Sequence, residues 1–284
     1  MSRKNGISLY FGDSRDNIFP KDYQNLPVGV DLLAMQPYAK LAQEMGLEKL
    51  FFLRQVHGTA GVTLKKQASK MALHEVEQKN SRQGAEHSCG VYECVVHNKD
   101  SFTAFSYDGD YLITNEPRVG IGIMTADCLP LVLHDPVTQS IAAIHAGWRG
   151  AVAGIVAIAL VRMQQEYGAK PENVQAYLGP CIHSCCYQVG EQLTQALEIC
   201  YASDHQSSLD AKNFSLQQVL ISRRGNLYFD LPGFVAQQLE SAGLKKEAIS
   251  LENSLCTHCT PRFWSYRRQA ENAGRQMTVI SLDL

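Results

Sequence analysis

The sequence predicts an α+β fold with a mixed sheet, because hairpins are mixed with helices along the chain. Three strand-like runs follow one another at Val119–Thr125, Leu129–His134 and Ser140–His145, and the turn residues DPVTQS separate the last two. Apolar residues then recur at helical spacing over about Ala151–Glu166. A chain of 284 residues, 45% of them hydrophobic, can bury a sizeable core, and we expect one domain over residues 1–284.

The remaining predicted elements are shorter and are separated by turn residues. The predicted helices are Gln36–Leu47, Glu191–Tyr201 and Phe234–Ala242, and the predicted strands are Leu50–Val56, Val174–Leu178, a ribbon at Val219–Phe229, Phe263–Tyr266 and Met277–Leu282. Between Lys65 and Asp100 the chain becomes polar and irregular. We interpret residues 65–100 as a surface insertion, partly helical around Ala68–Gln78.

Composition excludes several classes of protein. The formal net charge of −2 gives no global electrostatic reason to bind nucleic acid or an anionic membrane. The sequence MSRKNGISLYFGDSRDN lacks the apolar core of a signal peptide, and no run approaches the roughly 18 apolar residues of a membrane span. We therefore expect a cytoplasmic protein. Nine cysteines favour free thiols or metal ligands over a disulfide framework.

The segment MTADCLPLVLHDP raises the question of why a carboxylate and a thiol precede a predicted buried strand. A hairpin centred on Pro136-Val137 would place Cys128 directly opposite His145, with side chains on one face and Cβ atoms about 4.5 to 5.5 Å apart. A zinc ion fits that spacing, and His57 in RQVHGT is a candidate third ligand. Three protein ligands with an open fourth position are typical of catalytic zinc. The alternative is that these residues are ordinary structural histidines and an inert core cysteine.

Asp127 has two candidate catalytic roles, orienting a ligating imidazole or carrying a proton, and a purely structural role is the alternative. In HAGWRG, glycines flank Trp148-Arg149 before a helix, so backbone N–H groups and a guanidinium can meet a phosphate-sized anion. FWSYRR, which ends in Arg267-Arg268, provides a second anion candidate, and its alternative is a solvated strand end. Aromatic residues near these motifs are candidate stacking surfaces for a flat base. They are Trp148, Tyr187, Trp264 and Tyr266.

Two other groups of cysteines need interpretation. HSCGVYECVVH contains His87, Cys89, Cys94 and His97, but its spacing fits no standard zinc knuckle. A second zinc equivalent in the protein would point to that group. CIHSCC and CTHC are irregularly spaced, and we interpret their cysteines as structural thiols.

With QVHG, DG at Asp108-Gly109, TADCLP, HAGWRG, LGPCI, CCYQVG and SYRR…GR in this order, the chain resembles the family of multicopper polyphenol oxidoreductases, or laccase-domain proteins. The resemblance covers roughly Leu50 to Leu284. It implies a four-layer α/β/β/α sandwich similar to the catalytic domain of deamidating cytotoxic toxins. It also implies one zinc ion per chain at His57, Cys128 and His145. The chain departs from the family pattern at Gln269, where Asp is usual, and at His183-Ser184, where Gly-Pro is frequent.

The resemblance further implies a zinc-dependent purine nucleoside phosphorylase that acts on adenosine, inosine, guanosine and methylthioadenosine and also deaminates adenosine. The expected catalytic residues are Asp127, Cys128 and Arg149, and the expected substrate-binding residues are Gln55, Trp148, Arg149 and Arg268. The expected partners are nucleosides and phosphate, with the protein a monomer or weak homodimer. The alternatives are copper-dependent phenol oxidation, a cysteine hydrolase or amidase acting on cell-wall precursors, and a non-catalytic binding protein. Laccase chemistry needs several copper ions held by many histidines, often as His-x-His pairs, and none of the nine histidines is so arranged.

Overall fold

The computed structural model describes residues 1–20, 26, 31–65, 73–74, 91–94, 105, 107–207 and 216–283. The strands are β1 (Ser2–Lys4), β2 (Ile7–Phe11), β3 (Lys49–Phe52), β4 (Gly61–Leu64), β5 (Leu73–His74), β6 (Val91–Cys94), β7 (Tyr111–Thr114), β8 (Val119–Thr125), β9 (Leu129–Asp135), β10 (Ser140–Ala146), β11 (Gln175–Leu178), β12 (Gln188–Val189), β13 (Leu220–Arg223), β14 (Asn226–Phe229), β15 (Ile249–Ser250) and β16 (Gln276–Leu282). The α-helices are α1 (Tyr38–Met45), α2 (Trp148–Val152), α3 (Ile155–Tyr167), α4 (Glu191–Ser207), α5 (Leu216–Val219), α6 (Leu231–Ser241) and α7 (Tyr266–Gln269). Short 3₁₀ turns lie at Ser14–Asp16, Leu32–Ala34, Pro171–Asn173, Lys246–Ala248 and Ala270–Asn272.

Two mixed sheets form the centre of the protein. One contains five strands in the order β1-β2-β16-β8-β3, and the other contains eight in the order β15-β11-β9-β10-β7-β4-β6-β5. A small third sheet has the order β12-β14-β13. Because side chains alternate across a strand, each central strand contributes to two apolar layers.

The layer between the two large sheets is a continuous apolar core. It contains Ile7, Leu9, Phe51, Leu53, Val62, Leu64, Leu112, Ile121, Ile123, Val132, Ile141, Ala143, Tyr177, Ile280 and Leu282. The opposite face of the eight-stranded sheet packs against α3, α4 and α6, and the opposite face of the five-stranded sheet packs against α1. The predicted α+β class and the four-layer α/β/β/α sandwich are confirmed.

The predicted register of the central hairpin is wrong by two residues. His145 pairs with Pro130 and Ala146 with Leu129, so the turn is centred one residue later than Pro136-Val137. Asp135 causes this shift, because its Oδ1 accepts the backbone N–H groups of Val137 at 2.8 Å and Thr138 at 3.3 Å and so lengthens the turn. Cys128 therefore lies just beyond the last pair of the ladder.

Two other predicted elements differ. The long helix expected over Ala151–Glu166 is divided into α2 and α3 at Gly154, whose φ of +85° is incompatible with a continuous helix. The strand expected at Phe263–Tyr266 is absent because Ser265 instead caps α7, accepting the N–H of Arg268.

In the polar segment 65–100, Leu73–His74 and Val91–Cys94 are strands at one edge of the eight-stranded sheet, which contradicts helix at residues 73–74. The rest of that segment, with His87, Cys89 and His97, lies outside the described residues, and the side chain of Cys94 is likewise not described. No helix in the described ranges is long and apolar enough to span a bilayer.

The inter-sheet layer gives a test of the architecture. Ile141 is completely buried there, whereas Val137 at the neighbouring turn is 70% exposed. We expect Ile141→Ala to lower the free energy of unfolding by about 2 to 5 kcal/mol because it leaves a cavity. The control Val137→Ala should change it by no more than about 0.5 kcal/mol. Urea unfolding followed by circular dichroism measures both, and equal effects would contradict the assignment of this layer.

Candidate metal centre and active site

The three predicted metal ligands lie together at one end of the sandwich. The ligand atoms of His57, Cys128 and His145 are all within 4.8 Å of one another, and the two imidazole rings meet edge to face with centroids 4.8 Å apart. Zinc bonds to imidazole nitrogen and thiolate are about 2.0 and 2.3 Å long, so one ion can contact all three. The structure thus brings together the three residues that the sequence predicts as ligands, although the hairpin register used to pair two of them is wrong.

The ligands come from chain segments that connect the two sheets. His57 lies between β3 of the five-stranded sheet and β4 of the eight-stranded sheet. Cys128 likewise lies between β8 of the five-stranded sheet and β9 of the eight-stranded sheet. Since β3 and β8 are parallel neighbours, both crossings begin at the same edge. His145 meets them from β10, on the face that Ile141 and Ala143 turn toward the inter-sheet core.

Asp110, which the sequence analysis missed, supports two of the ligands. Its buried carboxylate accepts the backbone N–H groups of His57 at 3.0 Å and Gly58 at 2.7 Å, and its Oδ1 lies 2.7 Å from His145 Nδ1. The backbone hydrogen bonds hold His57 at φ +60°, a conformation that non-glycine residues rarely adopt. The bond to Nδ1 leaves Nε2 of His145 available as a ligand. The sequence signal was present in YDGDYLIT, where Asp110 directly precedes a buried strand.

The electrostatics of the site favour a thiolate. Burial alone would raise the pKa of Cys128, but the charge of His145 and hydrogen bonds from His145 and His57 outweigh burial and lower that pKa to about 6. Burial likewise opposes the charged form of His145, yet the Cys128 thiolate and Asp110 raise its pKa to about 9. A soft cation would replace the imidazolium proton in neutralising this thiolate, so the residues fit a zinc ion.

The glycines of HAGWRG serve close packing around the ligands. A β-carbon on Gly147 would lie 3.2 Å from Cys128 Sγ and 3.2 Å from the His57 ring, and one on Gly150 would lie 2.8 Å from the carbonyl oxygen of Gly58. The backbone contact excludes a side chain at Gly150, and a side chain at Gly147 would press on two of the candidate ligands.

Asp127 is held by an extensive set of hydrogen bonds. One carboxylate oxygen accepts the hydroxyl of Thr257 at 2.6 Å, and the other accepts the hydroxyl of Ser265 at 3.1 Å and the backbone N–H of Arg267 at 2.6 Å. The residue itself has φ +86°. Its side chain therefore fastens the segment around Arg267 to the crossing that carries Cys128.

A cavity of about 510 Å³ opens over the three ligands, within the range typical of small-molecule sites. It is lined by Leu53, Arg54, Gln55, His57, Phe105, Met124, Thr125, Ala126, Asp127, Cys128, His145, Trp148, Arg149, Ile182, Tyr187, Leu231, Tyr266, Arg267 and Arg275. Two arginines lie against aromatic rings, with the Arg149 guanidinium carbon 4.5 Å from the centroid of Trp148 and that of Arg267 5.4 Å from the centroid of Tyr187. The wall thus combines positive charge with flat apolar surface.

Two expected substrate residues have structural partners. Arg268 is not among the residues that line the cavity; its guanidinium donates to the carbonyl oxygens of Thr257 at 3.0 Å, His258 at 2.7 Å and Phe263. The Gln55 amide does line the cavity, but it pairs with the backbone of Met124 through two 2.8 Å hydrogen bonds. The arginine that reaches the cavity from SYRR is Arg267, which belongs to the predicted anion motif, whereas Arg268 was expected to bind substrate.

The two departures from the family pattern have structural partners as well. Gln269 Oε1 accepts the N–H of Ser265 at 3.1 Å, and His183 Nε2 lies 3.2 Å from the hydroxyl of Ser254.

Comparison with known proteins identifies the family. Residues 34–283 match the family described as multi-copper polyphenol oxidoreductase laccase. The chain belongs to this laccase family. A purine nucleoside phosphorylase of Clostridium acetobutylicum is 31% identical over 188 residues, which cover 66% of this chain and 72% of that protein. An adenosine deaminase of an unknown prokaryotic organism is 33% identical over 174 residues, which cover 60% of this chain and 61% of the deaminase.

A solved structure has the same overall fold as this chain. YlmD from Geobacillus stearothermophilus superimposes with a TM-score of 0.67 over 98% of this chain and 91% of that one, at 22% sequence identity. This likeness establishes the fold, and the matched sequence segments establish the family. The chain spans less than two thirds of the length of the matched deaminase.

Asp110 provides a test of the metal centre. We expect Asp110→Asn to weaken metal binding about 10- to 100-fold, because the amide cannot accept all the N–H groups that orient the two histidines. The matched control is Asp108→Asn, since Asp108 is partly exposed and pairs with Arg54. Competition with a chromophoric chelator measures affinity, and circular dichroism checks that each variant is folded. Equal affinity in both variants would show that Asp110 does not support the ligands.

Proposed function

We propose that this protein is a zinc-dependent purine nucleoside phosphorylase that also deaminates adenosine. The observation that carries the proposal is the His57, Cys128 and His145 ligand set at the base of a cavity lined by paired arginine and aromatic side chains. Relatives named purine nucleoside phosphorylase and adenosine deaminase support the same substrate class. Adenosine, inosine, guanosine and methylthioadenosine are the proposed nucleosides.

The ligand set fits one zinc ion with an open coordination position. Cys128 provides a thiolate and His57 and His145 provide imidazoles, the donor types that zinc prefers. When bound, the ion would act as a Lewis acid toward an oxygen of the water, phosphate or nucleoside beside it. The chain itself contributes the fixed orientation of His145 through Asp110 and excludes water by burying both residues.

The cavity wall supplies recognition for both substrates. Trp148 and Tyr187 offer flat faces for a purine. Burial, and then the Cys128 thiolate, raise the pKa of Tyr187, so its phenol stays neutral and can donate a hydrogen bond. The Arg149 guanidinium is exposed, with Gln192 Oε1 at 3.4 Å, and can therefore turn to a phosphate near the glycosidic carbon. Arg267 is the second anion-binding candidate, in place of Arg268.

We assign Asp127 a positioning role. Three hydrogen bonds occupy its carboxylate, and one of them fixes the backbone of Arg267. A group that is so fully engaged is better suited to holding the cavity wall than to moving a proton during each turnover.

A specific geometry favours one alternative function, a cysteine hydrolase. Cys128, His145 and Asp110 lie in series, because Cys128 Sγ is within 4.8 Å of a ring nitrogen of His145 and Asp110 Oδ1 is 2.7 Å from His145 Nδ1. This is the order of nucleophile, base and orienting acid in such enzymes. Copper-dependent phenol oxidation has weaker support, because His57 and His145 are the histidines found in metal-ligating groups within the described part of the chain.

The activity itself is tested by incubating purified, metal-analysed protein with inosine, adenosine and methylthioadenosine, with and without phosphate. Phosphate-dependent release of free base, and inosine formed from adenosine without phosphate, would support the proposal. Absence of both reactions in protein that retains its zinc would overturn it.

Cys128 distinguishes the zinc enzyme from the hydrolase. If the thiolate is a ligand, Cys128→Asp should retain part of the metal and part of the turnover, because a carboxylate oxygen can bind zinc at about 2.0 to 2.2 Å, whereas Cys128→Ala should lose both. Alkylation of Cys128 should require prior chelation. After chelation, the alkylation rate should decrease when the pH is lowered past about 6, because the thiol becomes protonated. Peptide mapping by mass spectrometry measures the labelling. Rapid labelling of the metal-loaded protein, with activity that survives chelation, would favour the hydrolase.

Arg149 tests phosphate binding. Arg149→Ala should reduce kcat/KM for phosphorolysis by roughly 10- to 150-fold, which corresponds to a loss of about 1.5 to 3 kcal/mol for a charge-assisted contact. Deamination of adenosine should be nearly unchanged because it uses no phosphate. Arg118→Ala is the control, since Arg118 pairs with Glu48 away from the cavity. Equal loss of both activities would assign Arg149 a structural role instead.

A further inference from the structure

Four cysteines form a second cluster beside the cavity, apart from the His57, Cys128 and His145 site. The Sγ atoms of Cys185, Cys186, Cys256 and Cys259 all lie within 4.8 Å of one another. From this cluster we propose a second, structural zinc site of the all-cysteine type, which fastens together two segments of the cavity wall. The proposal does not depend on the proposed enzymatic function.

The fold brings two distant segments to this point. Cys181 and Cys256 form a parallel bridge, in which Cys181 N donates to Leu255 O at 3.1 Å and Thr257 N donates to Cys181 O at 2.9 Å. The Cys185-Cys186 pair follows one side of the bridge, and the C-x-x-C sequence Cys256–Cys259 begins at the other. Sequence spacing alone suggested structural thiols because it does not reveal this bridge.

The geometry is that of a tetrahedral thiolate site. Cys259 Sγ lies 3.5 Å from Cys185 Sγ and 3.1 Å from Cys186 Sγ. Four sulfurs each about 2.3 Å from a zinc ion would be ~3.8 Å apart, so only small movements are needed. Cys256 Sγ also lies within 4.8 Å of each of the other three sulfurs.

The chemistry of the ligands defines the class of site. Four sulfur donors complete a tetrahedral shell and leave no open position, which is typical of structural rather than catalytic zinc. Two of the cysteines, Cys185 and Cys259, are exposed, so without an ion they would be unprotected surface thiols.

The cluster is well placed to fix the cavity wall. The segment after Cys181 carries Ile182 and Tyr187, which line the cavity. In the other segment, Thr257 donates to Asp127, and the Arg267 guanidinium donates to the carbonyl oxygen of Cys186 at 3.5 Å. An ion bound by both segments would fix the position of Tyr187 relative to Arg267.

Metal analysis of the full-length protein, purified under reducing conditions, tests the proposal. We expect about two zinc ions per chain in the wild type. About one should remain in the double variant Cys185→Ser with Cys259→Ser, and about one in Cys128→Ala, which removes the other site. Cys200→Ser is the matched control, because Cys200 lies in α4 outside the cluster, and it should retain both ions. These variants separate failure of this site from failure of the catalytic site.

Three further measurements apply if the double variant does not fold. Cys259→His should retain the second ion, because Cys₃His is also a ligand set of structural zinc sites. In the wild type, the four cluster cysteines should resist alkylation until a chelator is added, as judged by peptide mapping. Cobalt-loaded Cys128→Ala should show sulfur-to-cobalt charge-transfer absorption. Zinc content unchanged by the double substitution, iron in place of zinc, or a denatured mass lower by the hydrogens lost in a disulfide would each overturn the proposal.

Discussion

The geometry of the candidate metal site depends on the hydrogen bonds of one buried carboxylate, that of Asp110. It binds the backbone at His57 and Gly58 and the ring of His145, while its own backbone N–H donates to Ala60 and its carbonyl oxygen accepts the N–H of His145. A buried carboxylate is costly unless it is hydrogen-bonded, and here the required donors are parts of the ligand-bearing segments. The hydrogen bonds that the Asp110 carboxylate needs in the interior therefore also fix the positions of His57 and His145.

A second carboxylate, that of Asp127, stabilises the other segment that connects the two sheets, between β8 and β9. Asp127, like His57, has a positive φ that is unfavourable for a non-glycine residue, and its hydrogen bonds to Thr257, Ser265 and Arg267 hold it there. Each connecting segment thus contains one residue with an unfavourable positive φ, and a hydrogen-bonded carboxylate holds that residue in place. Such strain is maintained only where the surroundings over-determine the conformation, which is typical of functional sites.

Local patterns in the sequence were sufficient for the central strands, and together with the family resemblance they pointed to the three candidate ligands. The bounds of β8, β9 and β10 were predicted to within one residue because apolar runs and turn residues define them. The hairpin register was missed because it depends on the side chain of Asp135, and the four layers followed only from the family resemblance, since alternation does not reveal which sheet a strand joins. Asp110 was missed, and Arg268 was preferred to Arg267 within FWSYRR, because both roles arise from contacts between segments far apart in the chain. The same is true of the four clustered cysteines.

The crossing of the ligand-bearing segments between sheets has an evolutionary consequence. A shift of one sheet relative to the other by a single residue is about 3.3 Å, whereas a coordination shell tolerates only about 0.2 Å. The packing of the layer that contains Ile121, Val132 and Ile141 aligns the two sheets and therefore helps to set the geometry of the candidate site. Substitutions in this inner layer should be accepted more slowly during divergence than equally buried substitutions beneath α1 or α3, where a change in packing leaves the alignment of the two sheets intact.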